Sequence, residues 1–251
     1  MSDTNGRFNG KVAVVTGGNS GIGLATARAL VKEGALVAIT GRDQASLDAA
    51  AEELGNGTFA RRVDAGSVAE TETFLGEVAT ALGRIDLLFV NAGIGKFATF
   101  ETTTEEVFDD IVRTNFRGAY FTIQKALPHL AEGASVVLNA TALTDMGMPT
   151  TSVYTASKAA LTSLGKTVAA ELAPRGIRVN VVHPGPITTP IYGRLGLSAE
   201  DVEQMAAGIR SQVPLQRFGE ASDVAAAVLY LGSAPFVTGA EIHVDGGLSR
   251  F

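Results

Sequence analysis

The sequence predicts an α/β fold in which a parallel, doubly wound sheet is covered by helices on both faces. Short apolar runs alternate with amphipathic stretches along the 251 residues, and this alternation is typical of β-α-β units. Several runs, such as "KVAVVT" at 11–16, are apolar at consecutive positions, as strands are when both faces of a sheet are covered. A glycine cluster also marks the first junction between strand and helix.

The strands and helices follow in order. The predicted strands are residues 11–16, 35–40, 57–63, 86–90, 135–139, 177–182 and 240–244. The predicted helices are residues 21–33, 43–54, 67–82, 104–131 and 152–173. No linker or internal repeat interrupts the pattern, so we expect a flexible segment at 1–10 and one domain over 11–251. Residues 188–217 hold two more helical candidates, which predict an insertion that is either a substrate lid or a surface excursion.

Composition excludes several classes of function. The net charge is −6 and no basic run exceeds Arg61-Arg62, which argues against nucleic acid and anionic membranes as partners. The chain has no cysteine, so disulfides and thiolate chemistry are excluded. His129, His183 and His243 lie far apart in the sequence without ligand spacing, so no metal site is predicted. The N-terminus "MSDTNGRFNG" lacks an apolar core, and no run is long enough to span a membrane. We therefore expect a cytoplasmic protein.

The first strand leads into "TGGNSGIG", residues 16–23. Gly17, Gly21 and Gly23 allow the backbone to approach a pyrophosphate, and the next helix offers free N–H groups to its charge. Glycine clusters also occur in ordinary turns, but here a strand precedes the cluster and a helix follows it. The predicted dinucleotide-binding residues of this turn are Gly17, Asn19, Ser20, Gly21, Ile22 and Gly23.

The end of the second strand indicates which dinucleotide binds. In "ITGRD", Gly41 stands where an acid would hold the 2′-hydroxyl of NAD, and Arg42 follows it. Glycine removes a carboxylate that would repel a 2′-phosphate, and arginine can pair with that phosphate. Asp43 is predicted to cap the next helix instead. We expect NADP(H) as the cofactor, with NAD(H) as the other possibility. The alternative for Arg42 is a solvated loop residue.

Small and polar residues follow the next two strands. Asp64 and Ala65 come after the third strand, and Asn91, Ala92 and Gly93 come after the fourth. Ligands of open α/β sheets bind outside the carboxyl ends of the strands. We therefore expect these residues to contact the cofactor.

Tyr154 and Lys158 in "YTASK" are four positions apart and share one face of the predicted helix. A free phenol has a pKa of about 10, and a nearby ammonium lowers it by stabilising the phenolate. The tyrosine can then act as a general acid or base. Such a pair is common on helix surfaces, but its place after the fifth strand of a nucleotide-binding pattern indicates catalysis.

Taken together, these motifs resemble the short-chain dehydrogenase/reductase family in its single-domain form. The similarity covers residues 10–247 and includes Asn115 in "TNFRG", "HPGPITTP" at 183–190 and "VDGG" at 244–247. The resemblance implies a Rossmann-type fold with seven parallel strands. It also implies hydride transfer between NAD(P) and an alcohol or carbonyl compound.

The resemblance further implies roles for individual residues. Tyr154 would be the acid/base, and Lys158 would bind the nicotinamide ribose and tune the phenol. Asn115 would support a water that relays protons to Lys158. The segment after the sixth strand would hold the nicotinamide, with Ile187 acting through its backbone and Thr189 through its hydroxyl. The cofactor-binding residues of that segment are Pro184, Gly185, Ile187 and Thr189.

Thr141 stands where the family has a serine, thirteen positions before the tyrosine. That serine hydrogen-bonds the substrate oxygen as its charge changes. Threonine has the same donor and acceptor capacity, although its methyl group restricts χ1. Ser152 and Thr144 are the alternative hydroxyls.

An apolar substrate pocket is expected above the nicotinamide. Met146 and Met148 can adapt to several substrate shapes, and Arg194 is the one basic residue there. Each lining residue could equally pack in the core or the lid. The expected lining residues are Ile94, Thr141, Met146, Met148, Tyr154, Ile191, Tyr192, Leu195 and Met205.

These inferences give one main function hypothesis and two alternatives. The main hypothesis is an NADP(H)-dependent oxidoreductase acting on a small secondary alcohol or ketone. The nearer alternative is a 3-oxoacyl-thioester reductase of the same family, for which Arg117, Lys125 or Arg175 could contact a carrier. The other alternative is a non-catalytic NADP sensor, which only the missing serine supports.

The resemblance also implies a homodimer or homotetramer. The helices at 104–131 and 152–173 would pack against copies of themselves. Apolar and small residues on them include Phe116, Ala119, Tyr120 and Ile123.

Overall fold

The computed structural model describes residues 6–55, 57–189 and 199–250, without the side chains of residues 199–202 and 205. The main strands are β1 Val12–Val15, β2 Leu36–Gly41, β3 Phe59–Arg62, β4 Ile85–Val90, β5 Leu130–Asn139, β6 Arg178–Pro184 and β9 Glu241–Val244. They form one parallel seven-stranded sheet in the order β3-β2-β1-β4-β5-β6-β9. Two short strands, β7 Ile187–Thr188 and β8 Gly219–Glu220, pair with each other. The predicted Rossmann-type fold is confirmed.

Helices cover both faces of the sheet. Their bounds are α1 Gly21–Lys32, α2 Gln44–Leu54, α3 Val68–Ala81, α4 Glu105–Ile111, α5 Ala119–Ala126, α6 Ser152–Leu172, α7 Ala199–Gln212 and α8 Ala221–Ser233. Residues of α1, α2 and α8 form one core with Ala13 and Val15 of β1. Residues of α3, α5 and α6 form a second core with Val12 and Val14. Every residue of β1 is therefore buried, which explains its continuous apolar run.

The predicted helix at 104–131 is wrong at its C-terminal end. α4 continues through a π-helical segment, Val112–Gly118, into α5, which ends at Ala126. The backbone N–H of His129 then donates to the carbonyl of Ala126 at 2.8 Å, and the carbonyl of His129 accepts from Ile85 at 2.9 Å. These bonds turn the chain into β5, which begins at Leu130.

The sequence pattern gave no prediction for α8. Its run "DVAAAVLYL" is almost continuously apolar, and α8 packs against both α1 and the strands β5 and β6. Val224, Val228 and Leu231 are fully buried. The exposed positions in the middle of α8 are Ala226 and Tyr230, so no polar face marks its helical period.

We expected residues 1–10 to be flexible. The part of this segment that the structure describes, residues 6–10, is held in place by burial and hydrogen bonds. Phe8 is buried, and its backbone N–H donates to the carbonyl of Glu33 at 3.1 Å. The N–H of Gly10 donates to the carbonyl of Gly34 at 3.0 Å. In the expected insertion at 188–217, α7 is described and residues 190–198 lie outside the described residues.

The sheet order reverses between β1 and β4, where chain connections leave in opposite directions. In such sheets the carboxyl ends of the strands at the reversal form the ligand crevice. The residues predicted to bind a cofactor follow β1, β2, β3, β4 and β6, so the topology places them along this edge.

None of the described helices combines the length and apolar character needed to cross a membrane.

Candidate active site

The glycine turn after β1 is suited to a phosphate group. Gly17 and Gly21 have positive φ angles of 65° and 52°, which glycine adopts without strain. A Cβ on Gly23 would overlap the carbonyl oxygen of Gly17. No side chain caps the first turn of α1 at Ser20, and that turn carries no acid. Its N–H groups are therefore available to an anion.

Asn91 connects this turn to the end of β4. Its Nδ2 donates to the carbonyls of Thr16 at 2.9 Å and Gly17 at 3.2 Å. The backbone N–H groups of Asn91 and Ala92 both donate to Thr16 Oγ1, at 2.9 and 3.0 Å. Asn91 was predicted to contact the cofactor. In the structure, Asn91 also fixes the shape of the glycine turn through these bonds.

Asn139, which the sequence analysis missed, extends this network to the lysine. Its Nδ2 donates to Asn91 Oδ1 at 2.8 Å, and its carbonyl accepts from Lys158 Nζ at 2.6 Å. Lys158 is only 4% exposed, and burial lowers the pKa of its amine to about 8. A continuous line of hydrogen bonds therefore joins Lys158 to the glycine turn.

Tyr154 and Lys158 lie one turn apart near the start of α6, as predicted. Burial raises the pKa of the Tyr154 phenol above its usual value, and a hydrogen bond with the Thr141 hydroxyl offsets this only in part. We expected Lys158 to lower this pKa, but the structure gives the opposite direction. A phenol with a raised pKa stays protonated at neutral pH, which is the form of a general acid.

Thr141 presents its hydroxyl to the phenol of Tyr154. Its Oγ1 accepts from the backbone N–H of Leu143 at 3.4 Å. The Thr141 hydroxyl also forms a hydrogen bond with the Tyr154 hydroxyl. Thr144 instead donates its proton to the carbonyl of Thr141 at 2.9 Å. Ser152 is exposed at the first residue of α6. Thr141 is therefore better placed beside the phenol than either alternative hydroxyl.

The π-helical segment Val112–Gly118 carries Asn115 into the site. Asn115 Oδ1 accepts from the N–H of Ile94 at 2.8 Å, and Nδ2 donates to the Ile94 carbonyl at 2.9 Å. Nδ2 also lies 3.2 Å from Ser157 Oγ, which donates to the Tyr154 carbonyl at 2.7 Å. The sequence analysis missed Ser157. π-Bulges are frequent at functional sites, and here the bulge fixes the segment after β4 against α6.

Gly93 lies between Asn115 and Lys158. A Cβ on this glycine would be 3.2 Å from Asn115 Oδ1 and 3.3 Å from Lys158 Nζ. A side chain at this position would crowd the lysine amine, so glycine leaves space beside Nζ. Ala92, the preceding residue, is also small, as expected for a surface that faces a ring or ribose.

The residues after β3 form a polar cluster with the helical segment. Asp64 Oδ2 accepts from Arg113 at 2.7 Å, and Oδ1 accepts from the N–H of Gly66 at 3.0 Å. Partial burial raises the pKa of Asp64, but these two bonds outweigh it and hold the pKa below its usual value. A Cβ on Gly118 would overlap the carbonyl of Ala65, so the two segments pack tightly.

Gly41 and Arg42 lie at the end of β2. A Cβ on Gly41 would be 2.5 Å from Asn19 Cγ, so glycine makes room for the Asn19 amide, which donates to Ser46 at 2.8 Å. Arg42 is exposed, and no described residue forms an ion pair with it. Asp43 caps α2 by accepting from the N–H of Ser46 at 2.8 Å, as predicted.

The predicted segment after β6 lies against the end of β9. The N–H of Gly185 donates to the Val244 carbonyl at 3.0 Å. A Cβ on Gly185 would be 2.6 Å from Asp245 Cα. Pro184 and Ile187 are buried, and Thr189 is partly exposed at the end of the described segment.

The expected substrate pocket is described in part. Met146 is half-buried and Met148 is 46% exposed. Phe97, which the sequence analysis missed, places its ring edge-on to Tyr154 at 5.8 Å between centroids. Of the other predicted lining residues, Ile191, Tyr192 and Leu195 lie outside the described residues, as does the side chain of Met205. Arg194, the basic residue expected near the pocket, also lies outside them.

Two of the histidines that lie far apart in the sequence are neighbours in the structure. β6 pairs with β9 so that His183 is opposite His243. Their rings stack with centroids 4.4 Å apart and an 11° angle between planes. Sixty positions of sequence separate them, so only the strand pairing brings them together.

Comparisons with known proteins agree with this architecture. A family model described as enoyl-(acyl carrier protein) reductase matches residues 17–249. An oxidoreductase of Methylorubrum extorquens is 38% identical over 248 residues, covering 96% of this chain and 99% of its own. The 3-oxoacyl-[acyl-carrier-protein] reductase of Staphylococcus epidermidis is also 38% identical, over 95% of this chain and 98% of its own.

The fold is likewise similar to a solved structure. The crystal structure of a short-chain dehydrogenase/reductase from Brucella melitensis, titled glucose/ribitol dehydrogenase, superposes with a TM-score of 0.91 at 32% identity. The match covers 98% of this chain and 99% of that chain.

Proposed function

The chain belongs to the short-chain dehydrogenase/reductase family, and we propose that it is a cytoplasmic NADP(H)-dependent oxidoreductase that interconverts a ketone and a secondary alcohol. The observation that carries this proposal is the hydrogen-bond line from Lys158 through Asn139 and Asn91 to the glycine turn. These bonds fix the position of Lys158 on α6 relative to the glycine turn that would bind the dinucleotide. Bound NADP(H) supplies the hydride in one direction and accepts it in the other.

Tyr154 is the proton donor in the reductive direction. Its raised pKa keeps the phenol protonated at neutral pH. Thr141 provides a second hydroxyl beside the phenol, and a hydrogen bond joins the two groups. The two hydroxyls can therefore hold one substrate oxygen and stabilise the charge that develops on it.

Lys158 positions the cofactor and resupplies the proton. A pKa of about 8 leaves most of the amine charged at neutral pH, so Nζ can donate to ribose hydroxyls. Asn115 Oδ1 and Lys158 Nζ both lie close to Gly93, where a water between them could relay protons to Nζ. Hydrogen bonds to Ile94 and Ser157 hold the Asn115 side chain in place, and Oδ1 keeps a second lone pair that can accept from such a water.

A preference for NADP(H) is supported by the end of β2. Gly41 carries no carboxylate, and the Asn19 amide occupies the space beside it. Arg42 is exposed next to the N-terminus of α2, where its guanidinium can reach a 2′-phosphate. Asp43 is directed to Ser46 by its capping bond, so it does not replace the missing acid.

A 3-oxoacyl-thioester reductase is the second candidate, because a relative with that activity in its name is 38% identical over almost its whole length. The three basic residues considered for a carrier have partners within the fold. Arg117 donates to the Gly66 carbonyl at 3.2 Å, Lys125 pairs with Glu72 at 3.0 Å, and Arg175 donates to the Leu127 carbonyl at 2.9 Å. We therefore favour a small ketone.

The protonated phenol beside Thr141 argues against a pure sensor, which needs no proton donor.

We also propose a homodimer or homotetramer. Two of the residues considered for the interface, Ala119 and Ile123, are buried in the chain's own core. The outer surface of this helical region carries other apolar side chains, including Phe108, 50% exposed, and Tyr120, 41% exposed. Closed symmetric assemblies bury such surfaces.

Replacing Tyr154 with phenylalanine should abolish turnover without abolishing cofactor binding. The phenol is the proton donor, and general acid catalysis contributes about 10²–10⁴-fold to rate. Ketone-dependent NADPH oxidation over a carbonyl panel measures turnover, and fluorescence titration measures NADPH binding. Tyr230→Phe, at a half-exposed tyrosine of α8, is the matched control and should keep full activity. Full activity in Tyr154→Phe would refute the assignment.

Valine and serine at position 141 separate a catalytic hydroxyl from a packing role. Thr141→Val keeps the branched shape and should lose about 10²–10³ in kcat, as the loss of one oxyanion donor does. Thr141→Ser should retain activity because its hydroxyl survives. Both are compared at saturating NADPH and ketone. An active valine variant together with an impaired serine variant would mean that Thr141 only packs.

Removing Arg42 should reduce NADPH binding selectively. A hydrogen bond to a charged group contributes about 1.5–3 kcal/mol, so Arg42→Ala should weaken NADPH binding by roughly 10–100-fold and leave NADH nearly unchanged. Lys32→Ala removes the same charge at the far end of α1 and should change neither Kd. Unmodified protein that binds NADH more tightly than NADPH contradicts the proposed preference.

Multi-angle light scattering tests the assembly. We expect a mass of two or four times the 25.9 kDa chain at micromolar protein concentration, since the exposed aromatics then become buried. Tyr120→Asp should shift the distribution toward the monomer. A single 25.9 kDa species for the unmodified chain would rule out the proposed oligomer.

A further inference from the structure

The ring of Phe97 lies directly beside the phenol of Tyr154. The two ring planes meet at 74° with their centroids 5.8 Å apart, which is an edge-to-face arrangement that aromatic pairs favour. Phe97 is nevertheless 44% exposed, so the described residues leave part of its ring uncovered. An aromatic surface next to the proposed proton donor is therefore open to a further partner.

Hydrogen bonds and an ion pair hold the segment that leads to Phe97. The N–H of Ile94 donates to Asn115 Oδ1 at 2.8 Å, and the Ile94 carbonyl accepts from Asn115 Nδ2 at 2.9 Å. Lys96 Nζ pairs with Asp110 Oδ2 at 2.5 Å. The ring is thus held in position before a substrate binds, and such preorganisation lowers the entropic cost of using it as a contact surface.

A strained residue anchors the chain on the other side of Phe97. The N–H of Ala98 donates to the carbonyl of Thr150 at 3.0 Å, and Thr150 has a positive φ of 69°. β-Branched residues rarely adopt this conformation, and such outliers cluster where a protein holds a ligand. Thr151 donates to the carbonyl of Met148 at 2.8 Å. The segment that carries Met148 is therefore fixed to the segment that carries Phe97.

The two segments, residues 94–98 and 146–151, are mainly apolar. Met148 is 46% exposed and adds a flexible apolar side chain. Lys96 is the one charged residue in the two segments, both of which the structure describes, and Asp110 neutralises it. An apolar surface beside a few polar groups is typical of a site for a small apolar ligand, and this surface offers no charge to a carboxylate.

We propose that Phe97 selects ketones that carry an aromatic ring on the carbonyl carbon, and that this ring packs against the uncovered part of Phe97. The inference rests on the proposed function, because it names the substrate class of the same site. A carbonyl oxygen that accepts from the Tyr154 hydroxyl brings its substituents close to the side chain that packs on Tyr154. A flat ring can meet Phe97 edge-on or in an offset stack, and Met148 can adapt to its outline. Phe97 determines specificity and transfers neither proton nor hydride.

Two ketones of similar size test the aromatic contact. Acetophenone carries a phenyl ring, and cyclohexyl methyl ketone carries a saturated ring in its place. Because the two ketones differ in intrinsic reactivity, the quantity compared is the ratio of their kcat/KM values in each protein. Phe97→Leu keeps an apolar side chain but removes the ring, so the preference for acetophenone should fall by about 2–10-fold, as expected for the loss of one aromatic pair.

Two further variants serve as controls. Phe97→Tyr keeps an aromatic ring at the position and should retain the ratio of the unmodified chain. Phe236→Leu makes the same change as Phe97→Leu at a fully exposed phenylalanine after α8 and should also retain it. Circular dichroism and NADPH titration verify that each variant folds and binds the cofactor.

Two results would overturn the inference. One is a Phe97→Leu variant that loses activity on both ketones by the same factor, because Phe97 would then only shield the phenol from water. The other is an unchanged activity on both ketones, which would mean that the ring does not contact the substrate.

A binding measurement separates this inference from the proposed reaction. Saturation-transfer difference NMR with the NADP⁺-loaded chain detects bound acetophenone without turnover, and the signal of its ring protons should weaken in Phe97→Leu. If no ketone is reduced but acetophenone binds in this Phe97-dependent way, the proposed reaction is wrong and the aromatic contact is supported. Acetophenone that does not bind, or that binds equally to both proteins, contradicts the inference whatever the turnover.

Discussion

The buried amine of Lys158 is the interaction on which the arrangement of the site depends. An amine removed from water loses hydration and requires polar partners, and here the carbonyl of Asn139 accepts from it at 2.6 Å. That bond fixes α6 against the end of β5. Because the Asn139 side chain also holds Asn91, which in turn holds the Gly17 carbonyl, hydrogen bonds link the position of Lys158 to the glycine turn. Lys158 and the glycine turn, which are the two ends of the proposed site, are therefore connected by one hydrogen-bond network.

Topology makes this unit possible. β1, β4 and β5 are neighbours in the sheet although long connections separate them in sequence, so Thr16, Asn91 and Asn139 meet at one edge. The π-helical segment adds a second support, because Asn115 bonds both the segment after β4 and Ser157 of α6. Tyr154 is held between these supports. Its burial raises its pKa, so the rigidity that positions the phenol also keeps it protonated.

Local sequence patterns predicted much of this structure. The apolar runs located all seven strands of the main sheet, and the spacing of Tyr154 and Lys158 placed both on one helix face. Features that depend on contacts between distant segments could not be predicted in this way. Asn139, Ser157 and Phe97 belong to no local motif, and His183 meets His243 only through strand pairing. The pKa of Tyr154 was predicted in the wrong direction because burial, which a sequence does not display, raises this pKa more than the Thr141 hydrogen bond lowers it.

Isotope transfer tests the central claim most directly. The enzyme is incubated with a ketone that supports turnover and NADPH that carries deuterium at both C4 positions of the nicotinamide, and the alcohol is analysed by mass spectrometry. The account predicts one deuterium on the carbinol carbon, and none there when unlabelled NADPH is used in D₂O, since the hydride comes from the cofactor and Tyr154 supplies only the oxygen-bound proton. Carbon-bound deuterium that derives from solvent, or an alcohol without label from the deuterated cofactor, would contradict it.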